Sequence, residues 1–280
     1  MNIGIRAHDL PKQSLESLVN DISQRDLNSV QLAISKSFEI QAEAGFLTPG
    51  LATHICSAFR QANIQIAVLG CYVNIIHPDI NERRKGLERF KEHLRYARDF
   101  GCSIVGTETG NINADIIYTE ENFSEAPFQA MVESVKELVT EAENFGIIVG
   151  VEPGVNHPLH SPEKVRRLLE EINSNNLQII FDPVNFLTSE NYLDQNQILQ
   201  QAIDSWGDRV AVLHAKDFIV EDGNLSFVPL GTGWLNYELI FEKLISRKPY
   251  INIIMDEIHQ NDIKEGLDFI RGLDQSTRRH

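Results

Sequence analysis

Cysteine and long apolar runs are both scarce in this 280-residue sequence. The three cysteines, Cys56, Cys71 and Cys102, are too few and too scattered for a disulfide framework or a cysteine-rich zinc site, so we expect reduced, mostly buried thiols. No run approaches the roughly 18 apolar residues of a membrane span. The opening MNIGIRAHDL also lacks the basic stretch and apolar centre of a signal peptide. These absences predict a cytoplasmic protein with no membrane segment.

Positive charge is also in short supply. The chain has 25 Lys and Arg against 40 Asp and Glu, a formal net charge of −15. Nucleic acids and anionic membranes attract proteins with a positive field, so this balance argues against both as partners. A small anionic substrate is still allowed, because a metal ion or a few local cations can reverse the sign of the field inside a pocket.

Short apolar runs alternate with helical stretches along the whole chain. Runs so rich in Val and Ile are typical of parallel strands buried on both faces. The predicted strands are Asn2–Ala7, Ser29–Ile34, Ile64–Gly70, Ser103–Thr107, Ile147–Val151, Leu177–Phe181, Val210–Leu213 and Ile251–Met255. Periodicity alone also allows an open doubly wound sheet. Eight strand-then-helix units without a break in composition favour an α/β fold of one domain, a (β/α)8 TIM barrel over residues 1–280.

Several helix ends can be placed from local signals. We expect two of the helical stretches to stop at Gly101 and Gly146, and another to begin after Ser161 as its N-cap. The second unit is less regular. Its segment 35–63 contains Pro49 followed by glycine, which predicts a broken helix or a lid-like loop.

Polar residues collect where the predicted strands end, which is the face that carries the active site in barrels of this class. The motifs IIVGVEP, QIIFDPVN, VAVLHAKD and NIIMDEI place Glu152, Asp182, His214 and Asp256 directly after four consecutive strands. One such carboxylate alone is usually a helix cap or an ion-pair partner. Three that cluster without a cation would repel one another, and a metal ion resolves this most simply. Carboxylates with one imidazole and no thiolate suit Mn²⁺, Mg²⁺ or Co²⁺, with Zn²⁺ as a further option.

The chain resembles the xylose isomerase-like TIM-barrel superfamily, which includes sugar isomerases and epimerases, inosose dehydratase-type enzymes and endonuclease IV-type enzymes. The resemblance is carried by VEP around Glu152, FDPVN around Asp182, LHAKD around His214, and PLGTGWLNYELI over residues 229–240. In that last stretch Asn236 stands where the family often has an acidic residue.

The resemblance implies metal ligands after the last four strands, in the order Glu, Asp, His and Glu. Glu152, Asp182 and His214 match the first three. The fourth position falls on Asp256 or, one residue later, on Glu257, and a shift of one residue turns a strand side chain to the other face.

The activity implied is metal-dependent isomerisation or epimerisation of a sugar or sugar phosphate, by proton abstraction next to a carbonyl through an enediolate. Glu152, with Asp256 or Glu257, would transfer the protons. The alternatives are a metal-dependent dehydratase of an inosose-type polyol, an endonuclease IV-like repair enzyme and a non-catalytic sugar-binding barrel. DNA repair is disfavoured by the negative charge, and because Asn185 stands where those enzymes carry a zinc-binding histidine.

Further polar residues on the same predicted face could contact the hydroxyls or phosphate of a small carbohydrate substrate. They are His8, His77, Glu108, His157, His160 and Lys216. The loops at 35–50 and 111–127 are expected to form pocket walls. Gly231 and Gly233 are expected to serve a tight turn. Barrels of this family often form dimers or tetramers, so the resemblance also allows a homo-oligomer.

Overall fold

Eight parallel strands form a closed barrel in the computed structural model, which describes residues 1–40 and 44–277. In chain order the barrel strands are β1 (Asn2–Arg6), β2 (Ser29–Leu32), β3 (Gln65–Gly70), β4 (Ile104–Glu108), β5 (Ile148–Glu152), β6 (Leu177–Phe181), β7 (Val210–Ala215) and β10 (Asn252–Met255). The last strand pairs with the first, with Met255 beside Ile5, and this pairing closes the barrel. The predicted TIM barrel is confirmed.

Helices connect the strands. They are α1 (Leu15–Gln24), α2 (Ile34–Ser37), α3 (Pro49–Gln61), α4 (Ile80–Tyr96), α5 (Glu125–Phe145), α6 (Pro162–Ile172), α7 (Gln195–Trp206), α8 (Tyr237–Ile240) and α9 (Ile263–Thr277). The Ser161 hydroxyl caps α6 by accepting the Lys164 N–H at 3.3 Å, as predicted. Gly146 ends α5 with a φ of 62°, also as predicted. Among the described residues, no helix combines the length and apolarity that crossing a bilayer requires.

The second unit is interrupted, as expected from its sequence. The short α2 is followed by α3, which begins at Pro49 behind the capping residue Thr48. Residues 41–43 lie outside the described part of the chain, so the predicted pocket wall at 35–50 is seen only on either side of them. The helix α4 is shorter than predicted. It ends at Tyr96, and a turn carries the chain to Gly101, whose φ is 68°.

Some strand ends differ from the prediction. Glu108 and Glu152 are the last residues of β4 and β5 and pair in register, whereas both were expected just beyond the strands. Likewise β7 continues through His214 to Ala215. Polar residues can end these strands because the barrel mouth, unlike the apolar barrel interior, offers them partners.

A hairpin outside the barrel was not predicted. Its strands β8 (Asp217–Glu221) and β9 (Asn224–Val228) pair antiparallel, and most of β9 is exposed. Asp222 and Gly223 form the turn with φ values of 49° and 76°, the left-handed geometry typical of a two-residue hairpin loop. The Asp-Gly pair was the signal available in the sequence.

Two apolar cores hold the barrel together. The larger one packs the helices on the outside of the strands. The smaller one fills the barrel with Ala67, Val68, Ile104, Ile180, Val212 and Ile254. This plug makes the barrel a packed core rather than a pore, so the chemistry is confined to its ends.

Gly4 allows β1 and β2 to approach closely. A Cβ atom at this position would lie 2.2 Å from the Ser29 carbonyl oxygen. We expect Gly4→Ala to lower the free energy of unfolding by about 1–3 kcal/mol, because one strand must shift. Denaturant titration measures this. The control is Gly272→Ala in α9, where an added Cβ meets nothing within 4 Å and helix propensity favours alanine. Equal stability of the two variants would contradict the tight contact.

Candidate metal centre

The four predicted ligands come together at the mouth of the barrel. Glu152, Asp182, His214 and Asp256 are all buried, and each offers an atom within 4.8 Å of the others. They lie at the carboxyl ends of β5, β6, β7 and β10, which are consecutive neighbours around the barrel. Pairing of the strands is therefore enough to bring the ligands together.

Only one of the two acidic residues after β10 belongs to the cluster. Asp256 is 3% exposed and faces the cluster, whereas Glu257 is exposed. Glu257 has a φ of 52°, so the chain turns away immediately after Asp256. The cluster therefore includes Asp256 and not Glu257.

The ring of His214 is oriented by Gln31, a residue that the sequence pattern did not single out. The Nε2 atom of His214 lies 3.0 Å from the Gln31 Oε1 atom. The Gln31 Nε2 atom in turn donates to the Tyr72 hydroxyl at 2.6 Å, which fixes the amide so that its oxygen faces the imidazole. His214 therefore donates from Nε2 and directs Nδ1 into the cluster, the orientation that a metal-binding histidine needs.

Two cations balance the carboxylates. The Lys216 Nζ atom lies 2.9 Å from Asp182 Oδ2 and 3.4 Å from Asp256 Oδ2. It reaches them because it follows His214 by two residues and so shares its face of the chain. Arg6, at the end of β1, pairs with Asp256 Oδ1 and also with Asp9. Lys216 was predicted only as a substrate contact, and Arg6 was not predicted.

These contacts shift the titration of the cluster. Burial raises the pKa of Asp182 to about 6, against the opposing effect of Lys216. Burial disfavours protonation of His214, but Glu152 and Asp256 outweigh it and raise the pKa of this imidazole to about 10. Lys216, His214 and Arg6 hold the pKa of Asp256 well below its usual value despite burial. A metal ion would need the lone pair on Nδ1, so its binding would release a proton.

The donor set fits a divalent ion. Asp182 Oδ2 and His214 Nδ1 are fully buried and face the inside of the cluster, where Oδ2 pairs with Lys216 Nζ at 2.9 Å and Nδ1 lies 3.3 Å from Glu152 Oε1. Asp182 Oδ1, by contrast, accepts the N–H groups of Val184 and Asn185 at 2.9 and 3.3 Å. Both atoms are thus directed at charged groups within the cluster, and three carboxylates with one imidazole suit Mg²⁺, Mn²⁺, Co²⁺ or Zn²⁺.

A cavity of about 260 Å³ opens next to the cluster. Its lining includes Glu108 and His157, two of the predicted substrate contacts, together with Asn185 and Phe227. His157 Nδ1 donates to the Gly110 carbonyl at 2.8 Å, which directs Nε2 to within 3.9 Å of Glu108 Oε2. One wall thus presents a carboxylate and an imidazole to whatever enters.

Three other predicted contacts do not line this cavity. His8 packs edge-on against Tyr72, and burial lowers its pKa to about 3. His77 lies on a separate groove and accepts the Asp79 N–H at 3.1 Å, so it acts as a local cap. His160 stacks on Phe123, with ring centroids 4.0 Å apart. Their positions after strands did not distinguish them from residues that face the mouth.

The family model that describes the xylose isomerase-like TIM barrel matches residues 20–273. The chain belongs to this family. The fold, the cluster at the strand ends and the sequence motifs agree with that membership. No curated protein sequence matches the chain.

Several solved structures are similar to this barrel along nearly the whole chain. A xylose isomerase-like TIM barrel protein from Mycobacterium smegmatis, in complex with magnesium, has a TM-score of 0.76 and 13% identity, covering 99% of this chain and 96% of that chain. The probable 3-DHS dehydratase AsbF from Bacillus anthracis has a TM-score of 0.74 and 16% identity, covering 97% and 99%. D-psicose 3-epimerase from Clostridium cellulolyticum H10, with D-tagatose, has a TM-score of 0.70 and 16% identity, covering 100% and 96%. At these identities the likeness establishes the fold.

Asp217 organises the loop that contains the PLGTG segment, beside the cluster. Its two carboxylate oxygens accept four backbone N–H groups at 2.9–3.1 Å, from Phe218, Gly231, Gly233 and Leu235. Gly231 has a φ of 82°, so the expected tight turn is confirmed. The aspartate of HAKD therefore holds the PLGTG segment in place.

Asp217→Ala should lower the free energy of unfolding by about 3 kcal/mol or more, because hydrogen bonds to a charged group contribute about 1.5–3 kcal/mol each. Denaturant titration followed by circular dichroism measures the loss. Asp204→Ala, an exposed change in α7, is the matched control and should be close to neutral. If both variants were equally stable, Asp217 would not organise the loop.

Proposed function

We propose that this barrel is a divalent-metal-dependent isomerase or epimerase that acts on a small carbohydrate. The observation that carries the proposal is the buried cluster of three carboxylates and one imidazole beside a polar cavity. Two solved family members support it, one in complex with magnesium and one a ketose epimerase with D-tagatose. A cavity of about 260 Å³ suits a small, hydroxyl-rich molecule.

Glu152, Asp182, His214 and Asp256 would hold the ion. When bound there, a divalent ion polarises a substrate carbonyl and so acidifies the neighbouring C–H bond. Arg6 and Lys216, each of which pairs with Asp256 in the structure, offset part of the negative charge of the cluster before an ion binds.

Glu152 is the proposed base that removes this proton. Its carboxylate lines the cavity, and Asn185 holds Oε1 by donating from Nδ2 at 3.0 Å. Asp256 and Glu257 line the same cavity from the β10 side, and one of them would return a proton to the carbon skeleton. His157 and Glu108 would bind and orient the substrate hydroxyls from the opposite wall. Glu152 gains one proton and the second carboxylate gives one up, so the substrate is isomerised without net oxidation, and exchange with solvent restores both carboxyl groups.

Dehydration is the second candidate, because a probable 3-DHS dehydratase shares this fold. Both reactions begin with the same proton abstraction. They then differ: an isomerase returns the proton, and a dehydratase expels a β-hydroxyl group. A panel of ketoses, aldoses, their phosphates and inososes, incubated with Mn²⁺, Mg²⁺ or Co²⁺ in D₂O, separates them. Deuterium in recovered substrate or isomer supports isomerisation, whereas an unsaturated product supports dehydration. Sugar binding without exchange would leave a non-catalytic role.

Glu152→Gln should abolish turnover of whichever substrate that panel identifies. We expect a loss of at least about 10²-fold, since the amide cannot accept the proton. Deuterium incorporation followed by NMR measures this. Glu163→Gln on the exposed side of α6 is the matched control and should retain activity. Full activity of the Glu152 variant would refute the proposed base.

Gln31→Met should weaken binding of Mn²⁺ about 10–100-fold, the usual cost of removing the partner that orients a metal-binding histidine. Isothermal titration calorimetry on the whole protein measures the Kd. Gln65→Met at the exposed start of β3 makes the same chemical change away from His214 and should not alter the Kd. An unchanged Kd for the Gln31 variant would mean that His214 needs no such partner.

A further inference from the structure

Lys216 places its ammonium group inside the cluster of proposed metal ligands. Its side chain is 5% exposed, and Nζ contacts Asp182 Oδ2 at 2.9 Å and Asp256 Oδ2 at 3.4 Å. A lysine so deeply buried is uncommon unless it is paired with acidic groups. A metal ion that bound the same carboxylates would therefore lie close to this ammonium group.

The oxygens that Lys216 contacts are those left available for an ion. Asp182 Oδ1 is held by the backbone N–H groups of Val184 and Asn185, so Oδ2 is the oxygen free to bind. Asp256 Oδ1 is paired with Arg6, which again leaves Oδ2. Asp256 Oδ2 lies 3.6 Å from His214 Nδ1, the nitrogen directed into the cluster.

Lys216 also has partners on its other side. Nζ donates to Asn185 Oδ1 at 2.9 Å. It lies 4.5 Å from the centroid of the Phe227 ring, which belongs to the hairpin strand β9. The amide oxygen and the aromatic face both attract a cation, so the ammonium has favourable contacts outside the carboxylate cluster.

We propose that Lys216 competes with the metal ion: its ammonium neutralises Asp182 and Asp256 in the metal-free protein, and withdraws toward Asn185 and Phe227 when a divalent ion binds. Two cations on the same two oxygens repel each other strongly in a buried site. The ammonium thus preserves the fold of the empty cluster and lowers its affinity for metal. After withdrawal it faces the cavity, where it can meet a substrate oxygen.

The inference rests on the metal site of the proposed function but requires no substrate to test. Lys216→Met removes the charge and keeps the length of the side chain. We expect the Kd for Mn²⁺, measured by calorimetry, to fall at least about tenfold, since repulsion of a divalent ion by a unit charge a few ångströms away exceeds a factor of ten even in water. We also expect the Tm of the metal-free variant to fall, because three buried carboxylates lose a counter-ion.

Lys136→Met is the matched control. This exposed lysine lies in α5, and in the described part of the chain it makes no ion pair with any of the four ligands. Its removal should change the Kd much less than tenfold. Lys216→Gln is the second variant, because its amide can still donate to Asp182 and so protects the fold.

The outcomes separate the two proposals. Tighter Mn²⁺ binding in the Lys216 variants, with a less stable metal-free state, supports the competition. If the wild type binds Mn²⁺ and the Lys216 variants bind it with equal or lower affinity, the competition is refuted and the metal site is retained. Absence of binding in the wild type and in both Lys216 variants overturns the metal site, and the competition with it.

Discussion

The mutual repulsion of three buried carboxylates is the constraint on which the mouth of this barrel depends. Glu152, Asp182 and Asp256 are brought together by strand pairing, and the surrounding structure must then supply positive charge. Lys216, Arg6 and a protonated His214 supply it when no ion is present. Burial makes this balance necessary, since unpaired charges are far more costly in the interior than in water.

Charge balance also explains the neutral residues around the cluster. Gln31 holds His214 without adding charge, and Asn185 bridges Glu152 and Lys216 through the two ends of one amide. A histidine in place of Asn185 would offer another metal ligand. The amide instead contacts an anion and a cation at once, which suits a site for one ion rather than a multinuclear cluster.

The sequence predicts the barrel and the four clustered residues well, for a local reason. Each of these residues adjoins a continuous apolar run, and in a closed barrel all such positions meet at one mouth. The choice between Asp256 and Glu257 needed the backbone, because only the positive φ of Glu257 shows where the strand ends. The hairpin was missed because β9 is mostly exposed and has no continuous apolar run, although Asp222 and Gly223 marked its turn.

Long-range partners were beyond the reach of the pattern. Gln31 contacts a residue 183 positions away, and inside its strand it reads as an ordinary polar residue. Arg6 gives no local sign of its partner Asp256 either. His77 and His160 show the opposite failure: they occupy promising positions in sequence, but His77 accepts the Asp79 N–H and the His160 ring lies against Phe123, away from the cavity.

The pairing of β1 with β10 places the first and last strands of the barrel side by side, and the ion pair between Arg6 and Asp256 spans that seam. A chain still emerging from the ribosome has Glu152, Asp182 and His214 long before it has Asp256. The proposed metal site is therefore completed only when the last strand joins the first. The four residues of the cluster are therefore together only in the closed barrel, and a chain that lacks the last strand also lacks Asp256.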